Sequence, residues 1–137
     1  MFPLAAAVIA VAVTCVGFAW RAQADVRRPA SFTKAQADQG QDVFASNCAS
    51  CHGPNLNDGQ FGPSLKGRGF RAKWASKSVG DIYSFAVANM PPGQAGVLPP
   101  DDYAAVMAFI LSSNGVKPAD KPLPADADAL AAMAMPG

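Results

Sequence analysis

Hydrophobic patterning divides the chain into three parts. Residues 1–20, MFPLAAAVIAVAVTCVGFAW, are almost unbroken apolar sequence. Beyond them, apolar residues recur at the three-to-four-residue spacing of one helix face in three separate windows, and no alternating strand pattern or internal repeat is present. In TKAQADQGQDVFASN, Ala37, Gly40, Phe44 and Asn47 or Cys48 share a face, and Thr33 followed by Gln36 is a capping-box pattern at the start. In SVGDIYSFAVANM, Ser78 and Asp81 stand in the same relation, and Val79, Ile82, Phe85, Ala86 and Asn89 line up. Pro91 must stop that helix, because a proline pushes the residue before it out of the α region. In PDDYAAVMAFILSSNG, Pro100 suits the first helical position, and two aspartates lie near the positive end of the helix dipole. Tyr103, Val106, Met107, Ile110 and Leu111 form its apolar stripe, and Asn114-Gly115 closes it. A Gly- and Pro-rich stretch, 53–77, separates the first two helices. The third part, VKPADKPLPADADALAAMAMPG, is a Pro/Ala/Asp-rich tail with a short helix expected near 126–133. The pattern predicts an all-α fold with three main helices and long loops.

The apolar start is followed by RAQAD, in which Ala22-Gln23-Ala24 reads as a cleavage site before Asp25. Residues 1–24 are therefore expected to be an export signal or a retained N-terminal membrane anchor. The n-region lacks Lys and Arg, and the run is long enough to span a hydrocarbon core of roughly 30 Å. Either reading places the remainder outside the cytoplasm. Cys15 lies inside this run as a small apolar residue, and Ala12-Val13-Thr14 before it does not form a lipoprotein box. The expected organisation is residues 1–24 as signal or anchor, 25–32 as linker, 33–115 as the folded domain and 116–137 as the tail.

Composition narrows the function. A chain of 137 residues suggests one domain. Its formal net charge is +1, which argues against a generally basic surface for nucleic acid. Every acidic residue is aspartate. Twelve prolines and twelve glycines leave a thin endowment for a protein-only core, so something apolar is expected to complete it. The charges are unevenly spread: Lys66, Arg68, Arg71, Lys73 and Lys77 fall within twelve positions, with no acid between Asp58 and Asp81.

The chemistry concentrates in Cys48-Ala49-Ser50-Cys51-His52, a C-x-x-C-H motif holding the chain's one histidine. A zinc site would need a fourth ligand, and neither another Cys nor another His follows residue 24. A thioredoxin-like pair would need a βαβ context, which the pattern does not offer. A plain Cys48–Cys51 disulfide leaves the histidine unused. The spacing suits covalent haem: two sulfurs after a helix can meet two vinyl groups on one porphyrin edge, and the next residue brings an imidazole beneath the iron. Export fits this reading, since c-type haem is attached outside the cytoplasm.

In order along residues 34–115, Gly40 and Phe44, the C-x-x-C-H motif, Gly62-Pro63-Ser64-Leu65, Met90-Pro91 and a last helix with Phe109 resemble a class I, monohaem cytochrome c of bacterial type. Residues 78–115 are also similar to small cytochromes that serve periplasmic dehydrogenases. The resemblance implies a small cytochrome c fold around one haem c, with Cys48 and Cys51 as thioether donors and His52 as the fifth ligand. Pro63 would then offer its carbonyl to the imidazole N–H. Among Met90, Met107, Met133 and Met135, Met90 is expected as the sixth ligand, because it leaves a helix end braced by Pro91 and Pro92. Met107 lies on the apolar stripe, and Met133 and Met135 sit in the small-residue tail. Gly40 is expected to admit the last helix, with Phe44 against Phe109. Trp74 or Tyr83 could reach haem propionates, and Arg68, Arg71 and Lys73 could neutralise them or form a docking patch. The implied role is one-electron transfer in the periplasm rather than catalysis. The partners would be redox proteins (a dehydrogenase, oxidase or cytochrome complex). The alternative is a membrane-anchored cytochrome subunit of a larger oxidoreductase.

Overall fold

A computed structural model describes residues 27–136; the signal or anchor expected at residues 1–24 lies outside the described residues. The elements in chain order are β1 (Arg28–Pro29), α1 (Lys34–Asn47), α2 (Ala49–His52), α3 (Gly67–Trp74), α4 (Val79–Asn89), α5 (Pro100–Ser113), α6 (Ala127–Ala131) and β2 (Met133–Ala134). Among the described residues, no helix is long and apolar enough to cross a membrane. The fold is the expected small all-α one, with α1, α4 and α5 as its long helices.

The largest helix–helix interface joins α1 to α5. Gly40 makes it possible: a Cβ at this position would collide with the backbone carbonyl of Ala105. The glycine costs about 1 kcal/mol of helix propensity against alanine, and the close approach it permits seats Phe44 against Phe109 with ring centroids 5.4 Å apart. All five residues of the α5 stripe are buried, and so are Ala104, Ala105 and Ala108. The helix is thus enclosed on more sides than an amphipathic pattern predicts.

The start of α4 is the full capping box. Ser78 Oγ accepts from the Asp81 N–H (3.0 Å), while Asp81 Oδ2 accepts from the Ser78 N–H (2.7 Å). Hydrogen bonds from the backbone and side chain of Ser78 hold the Asp81 carboxyl below the usual carboxylate range. At α1 only half of the expected box forms. Thr33 Oγ1 accepts from the Gln36 N–H (3.1 Å). The Gln36 side chain reaches instead to Leu123, donating to its carbonyl (2.9 Å) and accepting its N–H (2.8 Å).

Two further segments depart from the sequence reading. The stretch 53–77, read as loop, contains α3. Gly67 and Gly69 mask it in the sequence, while Phe70 and Trp74, one turn apart, pack together at 6.5 Å and hold it. The tail and the linker are also built into the domain. β2 pairs in parallel with β1, Arg28 opposite Met133, and the Ala119 N–H donates to the Phe32 carbonyl at 2.7 Å. Phe32, Leu123, Leu130, Met133 and Met135 are all buried. The expected short helix is α6, capped by the Asp126 side chain, which accepts from the Ala129 N–H (2.7 Å). Gly80 lets α6 lie directly on α4, since a Cβ there would come within 2.6 Å of the Ala127 carbonyl.

Candidate haem site

The motif occupies a tight turn directly after α1. The Cys48 N–H donates to the Phe44 carbonyl (2.8 Å), and the Cys48 carbonyl accepts from both Cys51 (3.1 Å) and His52 (3.0 Å). Residues three apart on such a turn share one face, so Cys48 and Cys51 are presented together. Both are free thiols and half-buried. Burial, with a smaller contribution from Cys51, pushes the Cys48 thiol up to about 11. That setting disfavours a thiolate and suits a neutral sulfur such as a thioether.

The chain then folds back over His52. Gly53 turns it with φ +81°, Leu56 is buried at the centre of the loop, and the Leu65 N–H donates to the Leu56 carbonyl at 2.7 Å. The Gly62 N–H donates to the Cys51 carbonyl at 2.9 Å. Only glycine fits at 62, because a Cβ would stand 2.6 Å from His52 Nδ1. The next residue, Pro63, places its carbonyl 2.8 Å from that same nitrogen. A carbonyl can only accept, so Nδ1 carries the proton and Nε2 is left with the free lone pair. A bond of this kind fixes the ring and raises its basicity toward a metal. Asn114, buried at the end of α5, secures the far side of the loop. Its Nδ2 donates to the Leu65 carbonyl (2.9 Å) and its Oδ1 accepts from the Gly67 N–H (3.1 Å).

His52, both cysteines and the loop 61–65 form part of the wall of a cavity of about 600 Å³. Most of the rest of the wall comes from Phe44 and Asn47 on α1, Phe70, Lys73 and Trp74 on α3, Ile82, Phe85 and Ala86 on α4, Met90 and its prolines, Leu98, and α5. The volume falls within the range of cofactor-sized pockets. The lining is mostly apolar, with two thiols and one oriented imidazole at one end. That donor set fits a large apolar ring carrying an iron. Phe85, expected on the buried face of α4, is 48% exposed because this face fronts the cavity, where the ring meets Trp74 edge-on at 6.1 Å.

Of the four candidate methionines, Met90 and Met107 border the cavity, whereas Met133 and Met135 are buried away from it. Met90 is the C-cap of α4, in the extended conformation expected before Pro91. Trp74 lines the cavity, with Lys73 Nζ 5.7 Å from its ring centroid. Tyr83 does not line it; it stacks edge-on with Tyr103 at 6.4 Å and donates to the Pro100 carbonyl at 3.4 Å. Tyr103 does line the cavity and contacts the Met90 loop, a role its place on the apolar stripe conceals. Of the basic cluster, Lys66 is the N-cap of α3, and Arg68, Arg71 and Lys73 lie on that helix with Lys77 just beyond. None of the five forms an ion pair among the described residues.

Comparison with known proteins agrees with this geometry. Residues 35–110 match the family described as cytochrome c oxidase, cbb3-type, subunit III. The chain is similar to cytochrome c-551 of Bacillus subtilis (strain 168), with 35% identity over 84 residues that cover 61% of this chain and 69% of that protein. It is also similar to the Cbb3-type cytochrome c oxidase subunit CcoP of Rubrivivax gelatinosus, with 32% identity over 77 residues that cover 56% of this chain and 25% of that subunit. No solved structure matches. The family match takes in more than half of the chain, and the Bacillus cytochrome is covered over more than two thirds of its length. The chain therefore belongs to the class I, monohaem cytochromes c, proteins that bind haem c covalently through a C-x-x-C-H motif of the kind formed here by Cys48, Cys51 and His52.

Proposed function

We propose that the chain is a one-electron carrier of the exported, periplasmic compartment, linking a dehydrogenase to a respiratory acceptor. Cys48 and Cys51 would hold the haem by two thioethers, and His52 Nε2 and Met90 Sδ would hold its iron as fifth and sixth ligands. When bound, the group takes up and releases single electrons at its iron. The residues of the chain keep that event free of side chemistry. Pro63 keeps His52 in one tautomer, and the apolar walls exclude water. With His52 and Met90 both holding the iron, no site would be left on it for oxygen or peroxide, and the chain would work as an electron-transfer protein rather than an enzyme. His/Met ligation also raises the reduction potential. The observation that carries this reading is the Pro63–His52 bond at 2.8 Å, on the wall of the cavity that Met90 also borders. The test is the intact mass after acid–acetone extraction. It should exceed the processed chain by one haem, and a mass equal to the bare chain would overturn the reading.

A second reading has its own support. The match to the subunit III family and to CcoP favours a fixed cytochrome subunit of a membrane oxidase, with residues 1–24 retained as anchor. The chemistry at the haem would be the same, without diffusion. N-terminal sequencing of the native protein separates the two.

The basic cluster on and around α3 borders the cavity through Lys73, where a partner would approach. With a net charge near zero, long-range steering is weak and a local field matters more. Arg68→Glu with Lys73→Glu should slow association with an acidic redox partner by roughly tenfold at low ionic strength and much less at high salt, where the Debye length shortens. The reduction potential should move little. Stopped-flow rates that ignore salt in both wild type and variant would leave the cluster as a solvated helix face.

A further inference from the structure

We propose that Tyr103 is a positioning residue for the sixth ligand, an assignment that rests on Met90 being that ligand. Its phenol is 3% exposed and sits in the first turn of α5, on the cavity wall. The hydroxyl uses both of its hydrogen-bonding capacities on one loop. It donates to the Met90 carbonyl at 2.6 Å and accepts the Gly96 N–H at 3.1 Å. One side chain thus ties together the two ends of the loop 90–96. Inside that loop the bond from the Gln94 N–H to the Pro91 carbonyl (2.9 Å) closes a turn, while residues 92–97 are exposed and have no cover of their own.

The anchor itself is rigid. Tyr103 belongs to a helix packed along α1, and its ring is wedged against the ring of Tyr83. The main-chain point from which the Met90 side chain departs is therefore referenced to α5 as well as to α4. For Met90 to swing away from the cavity, its carbonyl must leave the phenol or drag the Gly96 end with it. A buried hydroxyl spent on two backbone groups is costly to remove, because each loses a partner at once. Tyr103 thereby biases the loop toward the ligand-bound arrangement.

Tyr103→Phe deletes the hydroxyl and keeps the ring. In the haem-loaded ferric protein, added imidazole competes with Met90 for the sixth position. Its affinity should rise about tenfold in Tyr103→Phe, the equivalent of one or two buried hydrogen bonds. The weak far-red absorption band of thioether–iron coordination should fade in parallel. Tyr83→Phe is the control: it removes a neighbouring buried hydroxyl that touches neither Met90 nor Gly96, and imidazole affinity should stay within about twofold of wild type. An equal rise in both variants would mean a general softening of the α5 start and would overturn the proposal. So would an unchanged affinity in Tyr103→Phe alongside a raised one in Met90→Ala. If Met90→Ala itself left imidazole affinity unchanged, the ligand assignment would fail first.

Discussion

Replacing Met90 by alanine is expected to leave the haem attached while opening the sixth coordination position. The reduction potential should fall by on the order of 0.2 V, a fraction of the roughly 0.8 V span that axial ligands command. The ferrous form should bind carbon monoxide readily, and the wild-type protein should resist it. The expectation turns on the difference between the two thioethers that border the cavity. Met90 projects from the C-cap of α4, where an extended backbone and two following prolines stiffen its base and Tyr103 holds its carbonyl. Met107 is 2% exposed on the α5 stripe, within the hydrophobic core. Met107→Ala should therefore cost about 2–5 kcal/mol of stability as a cavity-forming core substitution, with the potential nearly unmoved. Redox titration of the two variants side by side decides the assignment. A carbon monoxide complex in Met107→Ala and none in Met90→Ala would reverse it.

What the sequence discloses about this site depends on how local the signal is. The C-x-x-C-H turn, the proline that stops α4 and the Ser78–Asp81 box are legible because each is completed within a few residues. Pro63 is legible through the family resemblance, although the reason for Gly62 before it is visible only once the loop is seen lying on the imidazole. Most of the missed features are long-range. Nothing in the spacing of Tyr103, Val106 and Met107 says that the first of them turns its hydroxyl to a loop seven to thirteen residues upstream. Asn114 reads as a helix stop and also ties down the 65–67 segment, 49 and 47 residues away. Gln36 reads as the second half of a capping box, but its amide matches both backbone groups of Leu123, a partner 87 residues distant. Periodicity reports which face of a helix is buried and is silent on what buries it. α3 is the reverse case: two glycines lower its propensity, and the aromatic pair on the cavity wall outweighs them.

Leu130→Ala is expected to lower the stability of the domain by about 3 kcal/mol, and deletion of residues 116–137 by considerably more, although the family match ends at residue 110. Leu130 is completely buried, as are Phe32 and Val79, and the three belong to one hydrophobic core with Leu123, Met133 and Met135. Residues 28–29 and 133–134 form a clasp. β1 and β2 pair, the Arg28 N–H donates to the Ala132 carbonyl at 3.0 Å, and Ala134 bridges back to Ser78 at the cap of α4. α4 is therefore held between this clasp, on its Val79–Gly80 side, and the cavity, on its Ile82–Phe85–Ala86 side. For a chain of this size, a loss of about 3 kcal/mol should move the thermal midpoint by roughly 12 °C. Because Met90 caps the end of α4, loosening the start of the helix should also reach the proposed sixth ligand, so the far-red thioether–iron band should fade at a lower temperature than the helix signal in circular dichroism. A deletion variant melting within about 2 °C of the full chain, with that band intact, would show that the terminal segments merely lie on the domain and that α4 is held by α5 and the haem alone.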